Sequence, residues 1–130
     1  MIGATIVCLV GLQNYVKCSV CRQTYHKTNK VLTPAYVRTL ASRSRPRYST
    51  TQIKAMEWIC KRESTYRVNE RDPRSTAYGL YGFLKAQWKE VGIPKSDCPT
   101  CQTRAAIRYI EKRFKTPEKA KEFWKKHGWY

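Results

Sequence analysis

Glu63 and Ser64 stand at the end of an apolar helical pattern, and the segment Ala77-Tyr78-Gly79-Leu80-Tyr81-Gly82-Phe83-Leu84 begins 13 residues after the serine. A carboxyl at the edge of an apolar face loses water. At a helix C-terminus it also meets the negative end of the dipole. Both effects disfavour ionisation, and a carboxyl that keeps its proton near neutral pH suits general-acid catalysis. The Gly/Tyr-rich segment is of a kind that lines a sugar-binding cleft, with Tyr78, Tyr81 and Phe83 offering flat faces to pyranose rings. Core packing accounts for these aromatics equally well. For Glu63 the plain alternative is a solvated helix-end residue paired with Arg62 or Arg67, because long charged side chains are usually exposed.

A second chemistry-bearing pattern is formed by cysteines. Cys18-Ser19-Val20-Cys21 and Cys98-Pro99-Thr100-Cys101 are two Cys-x-x-Cys knuckles, with Cys8 and Cys60 left over. Four thiolates from two tight turns suit tetrahedral zinc. Disulfides and free thiols remain open as alternatives, and Cys60 reads most simply as a small buried hydrophobe. His26 is a candidate substitute ligand, although a histidine beside Lys27 and Lys30 is more often a surface residue. Because the pairs lie so far apart in sequence, a shared metal would clip the N-terminal region onto the segment around Cys98.

The element that must position Glu63 is legible directly. Ser49-Thr50-Thr51-Gln52 supplies hydroxyl N-caps, and Ile53, Met56, Ile59 and Cys60 then recur near a 3.6-residue period. This predicts a helix over about residues 49–62, with Glu63 on its apolar side. Further along, Phe114, Ala120, Phe123 and Trp124 alternate with Lys115, Lys119, Lys121, Lys125 and Lys126, which predicts an amphipathic helix with a cationic outer face.

The remainder is bounded by composition. At 130 residues the chain is expected to form one domain. The formal charge of +17 favours polyanionic partners: an anionic cell-wall matrix, or nucleic acid bound without sequence specificity. Ile2 to Val10 is an apolar run too short to span a bilayer, with no Lys or Arg before it to mark a secretory signal. Ser42-Arg43-Ser44-Arg45-Pro46-Arg47 reads as a linker. The expected division is therefore an extension and linker over residues 1–48, stapled by zinc in one reading, and a catalytic domain over 49–130.

Three ordered blocks carry a family resemblance. The first runs Glu63-Ser64-Thr65-Tyr66-Arg67-Val68-Asn69 and the second Ser75-Thr76-Ala77-Tyr78-Gly79-Leu80, followed by Trp88. The third begins Gln102-Thr103-Arg104-Ala105-Ala106-Ile107-Arg108-Tyr109-Ile110 and continues through Phe114, Thr116-Pro117-Glu118-Lys119-Ala120 and His127-Gly128-Trp129-Tyr130. Together, over about residues 49–130, they resemble the lysozyme-like lytic transglycosylases, in particular the cell-wall-cleaving domains of bacteriophage tails and ejected virion proteins.

The resemblance implies a mainly α, lysozyme-like single domain with an N-terminal extension. Helices are expected near 49–62, 84–91, 101–114 and 117–127, with a small β contribution from the 66–80 loop. It implies Glu63 as the catalytic residue and peptidoglycan as substrate, with Ser64, Tyr78, Tyr81 and Tyr109 at the bound sugar. No cofactor is required for that chemistry. A virion location, action in the host wall or periplasm, and contacts between residues 1–48 and other virion proteins would follow. One departure stands out: relatives commonly have Gln where this chain has Gly82, and that amide helps bind sugar.

The acid inventory fits a single-carboxylate mechanism. The nine acidic residues are Glu57, Glu63, Glu70, Asp72, Glu90, Asp97, Glu111, Glu118 and Glu122. Glu70 and Asp72 lie where the second carboxylate of a hydrolytic lysozyme would sit. Their neighbours Arg67, Arg71 and Arg74 make the loop read as solvated mixed charge. Two other classes compete: a virion structural protein that keeps the fold without catalysis, and a basic zinc protein associated with nucleic acid.

Overall fold

The computed structural model describes residues 14–130, so the Ile2–Val10 run and Cys8 lie outside the described residues. The chain is mainly helical, as the sequence leads one to expect. A short antiparallel hairpin pairs β1 (Tyr15–Lys17) with β2 (Thr24–His26), Val16 opposite Tyr25. Five helices come after it: α1 (Pro34–Ser44), α2 (Thr50–Ser64), α3 (Lys85–Val91), α4 (Pro99–Phe114) and α5 (Pro117–His127).

Helix starts arise from local chemistry. Ser49 Oγ accepts from the Gln52 amide at 3.2 Å while Gln52 Oε1 accepts from the Ser49 amide at 2.9 Å, a reciprocal capping box that begins α2. Thr33 and Thr116 cap α1 and α5 through their hydroxyls alone, accepting from the Tyr36 and Lys119 amides, each followed by a proline in the first turn. α2 stops where Thr65 and then Tyr66 take left-handed conformations (φ 51° and 64°), reversing the chain directly after Ser64.

Met56, Ile59 and Cys60 of α2 are fully buried in one core with Leu80, Ala105, Ala106 and Ile110. Each large apolar side chain so buried contributes about 1.5–3 kcal/mol relative to exposure. α1 belongs to the same core, which differs from the expected extension and linker. Val37, Leu40 and Ala41 are buried against α2 and α4, and the helix runs through Ser44. The reason is local: apolar residues at i, i+3 and i+4 after a Thr-Pro start make an amphipathic helix. Pro46 disfavours helix at Arg45 and leaves the residues up to Ser44 free to form it. Arg38 pairs with Glu57 at 3.1 Å, and Arg45 with Glu111 at 2.8 Å, tying the middle and the C-terminal end of α1 to the body.

The 66–83 segment carries only isolated bridges, Val31 with Arg67, Arg71 with Tyr78 and Tyr78 with Phe83. The last is a tight hairpin: Tyr78 and Phe83 exchange both backbone bonds (2.9 and 3.1 Å), with Gly79 and Gly82 at positive φ between them. Among the described residues, no helix is long and apolar enough to cross a membrane.

Candidate active-site groove and four-thiol centre

The last turn of α2 delivers Glu63 half-buried against the Tyr78–Phe83 hairpin. Its Oε1 accepts a 2.6 Å hydrogen bond from Trp124 Nε1 on α5. Its Oε2 lies over Gly82, where a Cβ would come within 2.5 Å. Any side chain at residue 82 would therefore collide with the carboxyl as placed. Burial pushes the Glu63 pKa up to about 7, against the Trp124 hydrogen bond, which pulls it down.

Two hollows of about 350 and about 440 Å³ meet at Glu63 and share Asp72, Ala77 and Gly82. One opens toward Glu70, Arg71 and Pro73, the other toward Glu90, Tyr109, Arg113 and Trp129. A third hollow, of about 700 Å³, continues past Ala77 to Tyr78, Lys85 and Lys95. Glu63 thus stands partway along an extended groove, with space on either side of its carboxyl.

Of the four expected sugar contacts, two line this groove. Tyr109 shares a hollow with Glu63, and its hydroxyl accepts from Arg113 Nη1 at 2.6 Å. Tyr78 lines the third hollow, its ring beneath Lys95 Nζ (4.5 Å) and Arg71 Cζ (5.0 Å), and its hydroxyl donates to Asp97.

Ser64 and Tyr81 turn inward instead. Successive residues on a helix project about 100° apart, so with Glu63 toward the groove Ser64 faces the core. It is 2 % exposed, with its hydroxyl 2.8 Å from the Leu80 carbonyl and 3.1 Å from that of Cys60. Tyr81, also 2 % exposed, packs its ring in the core while its carbonyl accepts from the Tyr130 hydroxyl at 2.8 Å. These two residues fix the wall and do not reach its contents.

Trp124 is the partner of Glu63 that the sequence does not single out. In sequence Trp124 is one apolar position of an amphipathic stretch, and nothing local announces a partner 61 residues away. Asp72 reads as part of a solvated loop, and it is exposed as expected. It also lines both hollows with Glu63, and the Arg74 amide (2.9 Å) and Ser75 hydroxyl (3.1 Å) donate to it and hold its carboxyl below the usual range.

The two cysteine pairs converge at the other end of α4. Cys18 and Cys21 lie in the β1–β2 turn, closed by Arg22 N donating to the Cys18 carbonyl at 2.9 Å, with Arg22 left-handed at φ 63°. Cys98 caps α4, its sulfur accepting from the Cys101 amide at 3.4 Å. Cys18 and Cys101 sulfurs are 3.4 Å apart, as are Cys21 and Cys98, and all four lie within 4.8 Å of one another. Four thiolates at zinc–sulfur distances of about 2.3 Å in a tetrahedron would be about 3.8 Å apart, which this spread brackets. The cluster is therefore able to hold a metal ion. The described cysteines are free, and Cys60 is buried in α2 apart from the cluster. His26 is engaged elsewhere, its Nδ1 accepting from the Thr28 and Asn29 amides at 3.2 and 2.9 Å.

Comparison with known protein families, curated proteins and solved structures finds no match to this chain.

Proposed function

We propose that the protein is a peptidoglycan lytic transglycosylase with a lysozyme-like fold, and that Glu63 is its acid and base. The observation that carries this reading is a half-buried carboxyl, with a pKa of about 7, set partway along a groove open on both sides. Glu63 first donates its proton to the glycosidic oxygen between N-acetylmuramic acid and N-acetylglucosamine. The sugar's own acetamido oxygen stabilises the anomeric centre as the bond breaks. Glu63, now a carboxylate, takes the proton of the muramoyl carbon-6 hydroxyl as that oxygen closes on the anomeric carbon. The product is a 1,6-anhydro ring, and Glu63 ends the cycle protonated.

Trp124 orients the carboxyl through one oxygen and leaves the other facing the groove above Gly82. Tyr78 and Tyr109 line the hollows of this groove, and at 5 and 2 % exposed each offers a sugar only an edge. The charge of +17 suits an anionic wall, and the resembled family suggests a phage virion component that opens the wall locally. In the same reading the four-thiol centre holds structural zinc.

Asp72 favours a second reading. A carboxyl with a lowered pKa lining the same hollows as one with a raised pKa is the kind of pairing that glycoside hydrolases use. Digestion of purified sacculi followed by mass spectrometry separates the two. Anhydro-muramoyl ends that disappear with Glu63→Gln support the transglycosylase, whereas reducing ends support hydrolysis. Undiminished release by Glu63→Gln rejects both.

A further inference from the structure

We infer that the metal held by Cys18, Cys21, Cys98 and Cys101 positions the Glu63 groove by clamping both ends of the segment from Tyr66 to Phe83. The inference rests on the zinc reading above and extends it from a staple of the N-terminal hairpin to a device that sets the active-site wall.

Each ligand pair is joined to that wall, one through a buried side-chain amide and the other through a partly exposed length of backbone. On α4, the residue after the ligand Cys101 is Gln102, 2 % exposed. Its Oε1 accepts from the Leu80 amide at 2.8 Å, and its Nε2 donates to the Val68 carbonyl at 2.9 Å and the Ser96 carbonyl at 2.8 Å. One amide thus ties the beginning of the segment, its hairpin and the approach to Cys98. The side chain lies so close to the hairpin that a Cβ on Gly79 would come within 2.8 Å of it. The residue before the ligand Cys98 is Asp97, which accepts from the Tyr78 hydroxyl.

The other ligand pair acts through backbone. From the Cys21 knuckle the chain passes through β2 to Lys30–Leu32, which lies alongside the residues just after Glu63. Leu32 N donates to the Tyr66 carbonyl at 2.9 Å, and Val68 N to the Lys30 carbonyl at 2.8 Å. Lys30 Nζ also stands 3.6 Å from Asp97, linking the two routes. The Tyr78–Phe83 hairpin so held contains Gly82, the floor beneath the Glu63 carboxyl.

Among the helices only α4 carries ligands, Cys98 at its cap and Cys101 in its first turn. α2 packs on α1 and α5 through contacts that include none of the four cysteines, and the Trp124 bond to Glu63 is made from α5. Metal loss should therefore loosen the groove wall while the helices persist, a sub-global opening rather than unfolding.

Amide hydrogen exchange on the full-length, zinc-loaded protein tests this, before and after metal removal by a chelator under reducing conditions, with zinc content and helical circular dichroism followed in parallel. The expected result is one zinc per chain, and after its loss at least about tenfold faster exchange at Val68, Gly79, Leu80 and Phe83 while Ile59 and Trp124 stay protected. Gln102→Ala with its zinc retained should speed exchange at Leu80 without changing metal content. Groove amides unaffected by metal loss, a uniform collapse of protection throughout the chain, or purified protein that holds no zinc would each overturn the inference. The readout requires no glycan cleavage, so loosening in a protein that never cuts the wall would sustain this inference while rejecting the transglycosylase.

Discussion

Gly82 and Glu63 share one space: a Cβ at residue 82 would lie 2.5 Å from Glu63 Oε2, and Gly82 itself sits at φ 62°. A side chain there must push the carboxyl aside or move the hairpin, and must also adopt a left-handed backbone. Gly82→Ala is expected to lower wall-degrading activity by about a hundredfold, the scale of an ångström-sized misplacement of a reacting group. The strain should lower stability by about 1 kcal/mol. Turbidity clearing of sacculi and denaturant titration measure the two effects.

Burying an ionised carboxyl destabilises the fold, so Glu63 in its charged form should oppose stability. Glu63 titrates near 4.5 when unfolded and about 7 when folded. The folded state thus holds the extra proton, and stability falls as pH rises through that window. Glu63→Gln lacks this dependence. It should match the native protein in stability below pH about 4.5 and exceed it by up to roughly 3 kcal/mol above pH about 7. Thermal or denaturant unfolding at pH 4 and pH 8 checks the sign. A variant less stable than the parent at pH 8 would refute the burial argument.

With Glu63 as the proposed acid, activity should decline as pH rises past about 7, where the carboxyl loses its proton. Trp124→Phe removes a hydrogen bond that lowers the Glu63 pKa. The alkaline limb of the rate profile should therefore move to higher pH, even as the maximal rate falls because the carboxyl is less well oriented. A limb that stays in place would mean that the indole acts by packing alone.

Asp72 is the residue on which one and two carboxylates part ways. With Glu63 alone as acid and base, Asp72→Asn should keep anhydro-ended products and change the rate only a few-fold. In a hydrolase the same change should remove the reacting partner and cost at least about a hundredfold. End-group analysis and initial rates on one sacculus preparation decide.

Removing buried methyls from α1 tests whether it is part of the body. Leu40→Ala should destabilise the chain by about 2–5 kcal/mol, the range for a buried leucine in a close-packed core. A loss under about 0.5 kcal/mol, the scale of a surface substitution, would mean that α1 is an appendage in solution.

The features legible in the sequence are those set by local rules. Ser49 with Gln52, and the Ile53-Met56-Ile59-Cys60 spacing, place α2 and the apolar side on which Glu63 lies. Thr33-Pro34 followed by Val37, Leu40 and Ala41 carries an equally plain helix signal, obscured by the basic, serine-rich stretch after it, which has the composition of a linker. α4 begins at Pro99, two residues before the expected start, because Cys98 is both cap and knuckle. Side-chain direction is harder to read. Ser64 comes directly after the carboxyl in sequence yet faces the core, and Tyr81 sits between two cleft glycines yet is interior. The Trp124–Glu63 bond and the Gln102 brace join residues 61 and 22 apart, and no periodicity reports such pairings.

The indole of Trp124 gives the carboxyl an intrinsic optical reporter. Because its N–H is bonded directly to Glu63, the excited-state emission of that ring should change as the neighbouring oxygen gains or loses charge. Subtracting the spectrum of Trp124→Phe would isolate this signal from the other three tryptophans. The protonation of Glu63 can thus be followed by fluorescence in the resting protein, without any substrate.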